Sequence, residues 1–326
     1  FNGLGDAISK IYTYLRKETR IIGPSPAYST HSSAEAAHAG YPHITYNLLP
    51  EKNWLPDLKD LENKIKYNPA ISGILIINPD NPTGMVYPRK VLEQIAALAK
   101  KYDLFLISDE VYCHIAHNTK KMTPMAEIIG DVPGIAMKGI SKEFPWPGSR
   151  CGWIEVYNKD KDEIFAKYVK SIMDAKMLEV CSTTLPQSVI PAIMSDPRYE
   201  SHLKERRGFY KKRAEKAHKI LSKVPGIISP KTAGAFYVSV VFKNGVLNPP
   251  AGRADNKQKL EIKNAKVRKF IEEKTDNGIA PDKRFVYSLM GATGICVVPL
   301  TGFNCNLLGF RATLLETDES KFEWIY

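Results

Sequence analysis

Ile74-Leu75-Ile76-Ile77 and Leu104-Phe105-Leu106-Ile107 are unbroken apolar runs, each about one strand long and each followed by polar residues. A strand with one wet face alternates apolar and polar, so a run apolar at every position fits a strand covered on both faces. Between them, apolar residues recur at 91/92, 95, 98/99 and 102, the spacing of an amphipathic helix. Strand, helix and strand with short links form a βαβ unit, whose crossover is right-handed in a parallel sheet. Ligands of such sheets sit beyond the carboxyl ends of the strands. Pro79 and Pro82 stop the first run, and Asn81, Asp109 and Tyr112 fall at or just past the two ends, which predicts a shared pocket.

A third strand, Gly134 to Ile140, delivers Ser141-Lys142 into a Pro/Gly-rich turn, with Arg150 eight positions later and Gly152-Trp153 after it. Trp153 to Tyr157 reads as a neighbouring strand of either direction. At the start, Asn2-Gly3-Leu4-Gly5 is a glycine-rich turn opening a helix to residue 15, striped by Ala7, Ile8, Ile11, Tyr12 and Leu15. Free backbone N–H groups and the positive dipole end converge at such a turn and suit an anion. Arg20 to Tyr28 reads as a short strand and turn, 56–65 as a polar connector helix, and 160–194 as largely helical. A long charged helix runs from about 197 to 221. The remainder has α+β character: a strand at 234–242, a Pro/Gly/Asn-rich loop at 245–256, a basic helix at 257–275, a strand at 295–298 ended by Pro299, and an apolar strand at 307–315 that embeds Arg311. A cation among apolar neighbours needs a partner, either a structural carboxylate or a ligand.

With 326 residues, 44% of them hydrophobic, the chain has room for a large core and two domains. No aliphatic run is long enough to span a bilayer. The sequence opens at Phe1-Asn2-Gly3 without a methionine and inside a motif, so an N-terminal portion is expected to precede it. Five cysteines, Cys113, Cys151, Cys181, Cys296 and Cys305, are odd in number and widely spaced, as reduced thiols in the cytoplasm would be. His114 and His117 are three apart and are read as lacking cysteine or carboxylate companions of ligand spacing, so no metal site is expected. The net charge of +11 gathers in helical segments mixed with glutamates, without aromatic interleaving, and so predicts solvated helix faces rather than a nucleic-acid surface.

The ordered set Asn81-Pro82-Thr83-Gly84, Asp109-Glu110-Val111-Tyr112, Ser141-Lys142 and Gly148-Ser149-Arg150-Cys151-Gly152-Trp153 resembles the class I/II aminotransferases, pyridoxal-phosphate enzymes of fold type I, and the resemblance covers nearly the whole chain. It implies an α/β fold: a large, mostly parallel three-layer αβα cofactor domain at 1–208 and a smaller α+β domain at 209–326, joined by the long helix. It implies a homodimer that exchanges the amino group between an L-amino acid and a 2-oxo acid, with no nucleic-acid or membrane partner. Lys142 is then the Schiff-base amine and proton carrier, and Asp109 the partner of the pyridine nitrogen. Asn81 and Tyr112 bind the cofactor's phenolic oxygen, and Tyr28 stacks on its ring. Arg150, Ser141 and the Gly3, Leu4 and Gly5 amides cradle its phosphate. Arg311, with Asn81, holds the substrate carboxylate.

Two positions depart from that family's pattern. Gly139 stands three residues before the lysine where relatives carry a hydroxyl, and Leu4 stands where some have threonine, so backbone amides must do more of the phosphate binding. A lyase or decarboxylase on the same fold is the alternative chemistry, and a non-catalytic cofactor-binding regulator the more distant one, because a fold does not fix a reaction.

Overall fold

The computed structural model describes residues 1–118, 122–179, 183–247, 260–275 and 278–326. In chain order the elements are α1 (Leu4–Thr13), β1 (Arg20–Ser25), α2 (Ser29–Ala39), β2 (Thr45–Leu49), β3 (Leu55–Pro56), α3 (Leu58–Tyr67), β4 (Ile71–Ile77), α4 (Arg89–Lys101), β5 (Phe105–Asp109), β6 (Gly134–Gly139), β7 (Gly152–Tyr157), α5 (Glu163–Met177), α6 (Thr184–Ser195) and α7 (Tyr199–Leu221). The C-terminal part adds β8 (Ile227–Ile228), β9 (Tyr237–Phe242), α8 (Ala265–Thr275), α9 (Pro281–Thr293), β10 (Val298–Pro299), β11 (Gly309–Thr313) and α10 (Glu319–Ile325).

Seven strands form one sheet in the order β3-β2-β1-β4-β5-β6-β7. The pairs β2/β1, β1/β4, β4/β5 and β5/β6 are parallel, and β3 and β7 close the two edges antiparallel. The sheet is buried on both faces because successive side chains of one strand point to opposite sides. Ile74 and Ile76 enter a core with Leu61, Ile65, Leu92 and Ile95 from α3 and α4. Leu75 and Ile77 enter a second core with Ile8, Ile11, Phe165 and Ile172 from α1 and α5. This is the αβα sandwich that the uninterrupted apolar runs require.

The chain leaves β1 toward β2 on one side and returns as β4 on the other. A switch of direction at that point opens a crevice beyond the carboxyl ends of β1 and β4. A second sheet, β10-β11-β9-β8, is antiparallel in every pair, and α7 leads from the first sheet to it. No helix among the described residues is long and apolar enough to cross a membrane.

Several expectations shift. The helix expected at 56–65 is α3, and it buries Leu61 and Ile65 against the sheet instead of serving as a polar connector. The strand expected at 295–298 pairs only at Val298–Pro299, and that expected at 234–242 begins at Tyr237. The basic helix begins at Ala265; residues 257–259, Cys181 and most of the loop expected at 245–256 lie outside the described residues. Helices α2, α9 and α10 had no strong periodic stripe to announce them.

The two departures noted in the sequence turn out to be one packing arrangement. A Cβ added to Gly139 would lie 2.7 Å from Cδ1 of Leu4, and one added to Gly152 would meet the same atom at 2.7 Å. Leu4 therefore fills the space above the β6–β7 pair that a side chain at 139 would need. Gly139→Ser alone is expected to cost about 1–3 kcal/mol of stability through overpacking, and the cost should shrink in Leu4→Ala/Gly139→Ser. A double-mutant cycle by chemical denaturation checks this; additive costs would separate the two positions.

Candidate functional site

The register lines up the ends of three strands: Ile77 of β4 pairs with Asp109 of β5, which pairs with Met137 of β6. The Asn81 loop, the Asp109–Tyr112 turn and the Ser141-Lys142 turn thus leave the sheet side by side. Tyr28 follows β1 and immediately precedes α2.

Asp109 is buried, and each of its carboxylate oxygens carries one hydrogen bond. Val111 N donates to Oδ1 at 3.1 Å, and Nε2 of His31 is 3.1 Å from Oδ2. His31 is fully buried, its Nδ1 lies 3.4 Å from the Tyr12 hydroxyl, and its ring meets the Tyr28 ring edge-on at 6.3 Å. The sequence reading missed His31. Its only signal was a histidine one turn past Tyr28, in a helix with no apolar stripe.

Lys142 lies just past β6, half-buried, with Nζ 5.8 Å from the Tyr112 ring centroid and 5.9 Å from that of Phe236. Burial lowers its pKa below the ordinary lysine value, the Asp109 carboxylate works against that shift, and the Arg311 and Arg150 cations add to it. The amine therefore feels three of the charged groups assigned to the pocket.

Arg311 reaches the site from β11. Its Nη1 donates to Oδ1 of Asn81 at 3.0 Å, and its guanidinium lies 4.4 Å from the Tyr237 ring centroid and 4.8 Å from that of Phe303. Its Nε is buried without a hydrogen-bond partner, and burial lowers its pKa. Among the described residues it forms no ion pair, so the structural salt bridge is not what holds it. Tyr237, also unanticipated, shares a 2.9 Å hydrogen bond between its hydroxyl and that of Tyr112. Burial drives the Tyr112 phenol well above its ordinary pKa, with Tyr237, Asp109 and Tyr28 adding to the shift.

The glycine-rich turn and Arg150 meet. Gly3 precedes α1 at φ 74°, and a Cβ there would lie 2.5 Å from Nη2 of Arg150. Only glycine lets the guanidinium lie against this helix start, where it donates to Asn2 O and Pro147 O at 3.0 Å each. Leu4 and Gly5 are the first two helical residues, whose N–H groups have no carbonyl one turn back. The Gly3 N–H is instead spent on Phe1 O at 2.8 Å, so the expected three-amide cradle reduces to Leu4 and Gly5. Ser141 sits one residue before Lys142 in the same turn.

His114 does have companions, contrary to the sequence reading. Cys113, His114 and Glu143 bring their ligating atoms within 4.8 Å of one another. Glu143 is buried and ion-paired with His114, whose pKa is pushed up to about 10 by the Cys113 and Glu143 hydrogen bonds.

The arrangement offers free N–H groups at the α1 start to an anion, the Tyr28 ring and the Asp109 carboxylate to a flat heteroaromatic ring, and the Arg311 guanidinium to a carboxylate, with an amine whose pKa burial and Arg311 lower. A half-buried guanidinium without an ion pair among the described residues and a buried carboxylate with lone pairs to spare fit such a ligand.

Comparison with known proteins identifies the family. The family described as aminotransferase class I and II matches residues 1–321. An uncharacterised aminotransferase of Methanocaldococcus jannaschii is 57% identical over the whole chain, which spans 74% of that protein. Tyrosine aminotransferase of Mus musculus is 30% identical over 68% of the chain, a match covering 47% of the mouse protein. Among solved structures, an alanine aminotransferase from Pyrococcus furiosus superposes with a TM-score of 0.80 over 99% of this chain and 73% of that one, at 25% identity. The strand ends, the lysine turn and the arginine on β11 therefore belong to a member of the class I and II aminotransferase family.

Proposed function

We propose that the protein is a pyridoxal-phosphate-dependent transaminase that moves the amino group between an L-amino acid and a 2-oxo acid, with Lys142 as its catalytic amine. The observation that carries this reading is Arg311, a half-buried cation oriented by Asn81 and two aromatic rings and without a carboxylate partner among the described residues. Such a group has been prepared for a carboxylate that arrives from outside.

When bound, the cofactor supplies an electron sink for breaking the carbon–hydrogen bond beside the amino group. The chain's own residues do the rest. Asp109, steadied by His31, would keep the ring nitrogen protonated. Asn81 and Tyr112 would donate to the phenolic oxygen, with Tyr237 holding the Tyr112 hydroxyl from behind. Tyr28 would cover one ring face, and Arg150, Ser141 and the Leu4 and Gly5 amides would bind the phosphate. Arg311 would grip the substrate carboxylate on both prongs and so fix which bond at the α-carbon stands perpendicular to the ring. Lys142, made a weaker base by burial and two neighbouring cations, would bind the cofactor covalently and later carry the proton between the two carbons.

A division at 208/209 places the seven-stranded sheet in one domain and the four-stranded sheet in the other. A homodimer is supported by exposed apolar side chains near α5 and α6, Met177, Leu178 and Leu185 among them, and by α6 burying no residue within its own chain. The cysteine pattern supports a cytoplasmic location.

Purified protein treated with pyridoxal phosphate and borohydride should carry one phosphopyridoxyl group on the Lys142 peptide, and Lys142→Ala should lose both the label and turnover; a label on another lysine refutes the assignment. Arg311→Ala should still take the label on Lys142 but raise KM for the amino acid on the order of a hundredfold, the cost of removing one side of a buried charge pair. Labelling should also depend on pH in a set direction. A lowered amine pKa places the neutral, reactive form at lower pH than in an ordinary lysine, so labelling should rise with pH and level off early. Arg311→Leu removes a cation that lowers that pKa, and the rise should move to higher pH; a shift the other way would exclude the electrostatic account.

A further inference from the structure

The turn that carries Lys142 does little to hold itself. Between 141 and 149 its own backbone bonds include Phe144 N to Ile140 O at 3.3 Å and Ser149 N to Trp146 O at 3.2 Å, neither of which engages the carbonyls of Lys142 or Glu143. Those two carbonyls are met from the other side, by α7. Nη2 of Arg206 donates to Lys142 O at 3.1 Å, and Nε2 of His202 is 3.1 Å from Glu143 O. A carbonyl only accepts, so Nε2 of His202 carries the proton. The next residue, Phe144, stacks on Tyr199 at 5.2 Å and 15°, and on His202 at 6.2 Å and 5°.

Residues 199, 202 and 206 are spaced three and four apart and share one face of α7. Further along the same helix, Tyr210, Ala214, Ala217 and Leu221 pack with the second sheet. One half of α7 is therefore built into the neighbouring core while the other half reaches the nucleophile's peptide.

Arg206 is an expensive way to make such a contact. It is half-buried, forms no ion pair among the described residues, and leaves Nε buried without a partner. Its Nη2 is shared between Lys142 O and the Tyr210 hydroxyl at 3.0 Å. Holding a guanidinium away from water for a peptide carbonyl and a phenol costs free energy that an apolar residue would not. The cost is understandable where the placement of that peptide matters, since a 1 Å error at a reacting group lowers rates by about a hundredfold.

We propose that Arg206 and His202 are positioning residues for Lys142: they fix the peptide of the catalytic lysine from the helix that joins the two sheets. The proposal rests on Lys142 being the cofactor-binding amine. Its test uses the purified protein and pyridoxal phosphate, following borohydride-trapped labelling of Lys142, steady-state turnover and thermal unfolding in Arg206→Met, Arg206→Lys and His202→Phe. Arg206→Met should slow labelling about tenfold and lower kcat about tenfold to a hundredfold, with KM for the amino acid changed less than about threefold. Arg206→Lys keeps a donor and should recover most of both rates. His202→Phe keeps the stack on Phe144 but drops the hydrogen bond, and should move labelling and kcat in the same direction by a smaller factor; it decides the matter should Arg206→Met fail to fold. If Arg206→Met loses thermal stability alone while Lys142 labels and turns over at the parent's rates, or if Arg206→Lys is no better than Arg206→Met, the proposal is overturned. A parent protein whose Lys142 takes no label overturns the transaminase assignment and this one with it, whereas a labelled parent matched by all three variants overturns only this one.

Discussion

Parallel pairing in fixed register is the constraint on which this site depends. Because Ile77, Asp109 and Met137 are partners across three adjacent strands, the polar segments that follow them emerge at one level. A slip of one residue in β5 would turn Asp109 to the opposite face and exchange Leu106 with Ile107 between the two cores. Burial on both faces forbids that slip, so the same apolar packing that stabilises the sheet also aims its functional ends.

Charge is arranged around that geometry with few direct contacts. Arg150 and Arg311 approach Lys142 from the α1 start and from β11, while Asp109, on β5, opposes their effect on the amine. Each arginine is held by carbonyl, amide or aromatic groups instead of by carboxylates. Among the described residues neither charge meets a carboxylate, which suits the binding of anions.

Much of this was legible in the sequence because it is local. Apolar runs, a helix-period stripe and polar strand ends follow from residues within reach of one another along the chain, and Asn81, Asp109, Tyr112 and Arg311 could be singled out on that basis, whereas Lys142 and Arg150 stood out through the motifs' resemblance to a family. What was not legible depends on distant segments meeting. His31 lies 78 positions from Asp109, and Tyr237 lies 125 from Tyr112. The contact between Leu4 and Gly139 likewise needed the sheet to be assembled, although both positions had stood out as departures. Helix α2 escaped notice because it is small and polar, its buried residues being His31, Ser32 and Glu35. Its burial serves an internal polar network with Arg20 and Asp109 and not an apolar stripe.

Tyr237 gives that network a wider reach. One end of its side chain bonds the phenol assigned to the ring oxygen, and its face lies under the guanidinium assigned to the incoming carboxylate. Neutralising that guanidinium with an anion would weaken its pull on the π-electrons beneath it, and the polarity of the shared phenol pair would change in response. One aromatic ring thereby touches both halves of the pocket, so a change at either the phenol pair or the guanidinium bears on the same side chain.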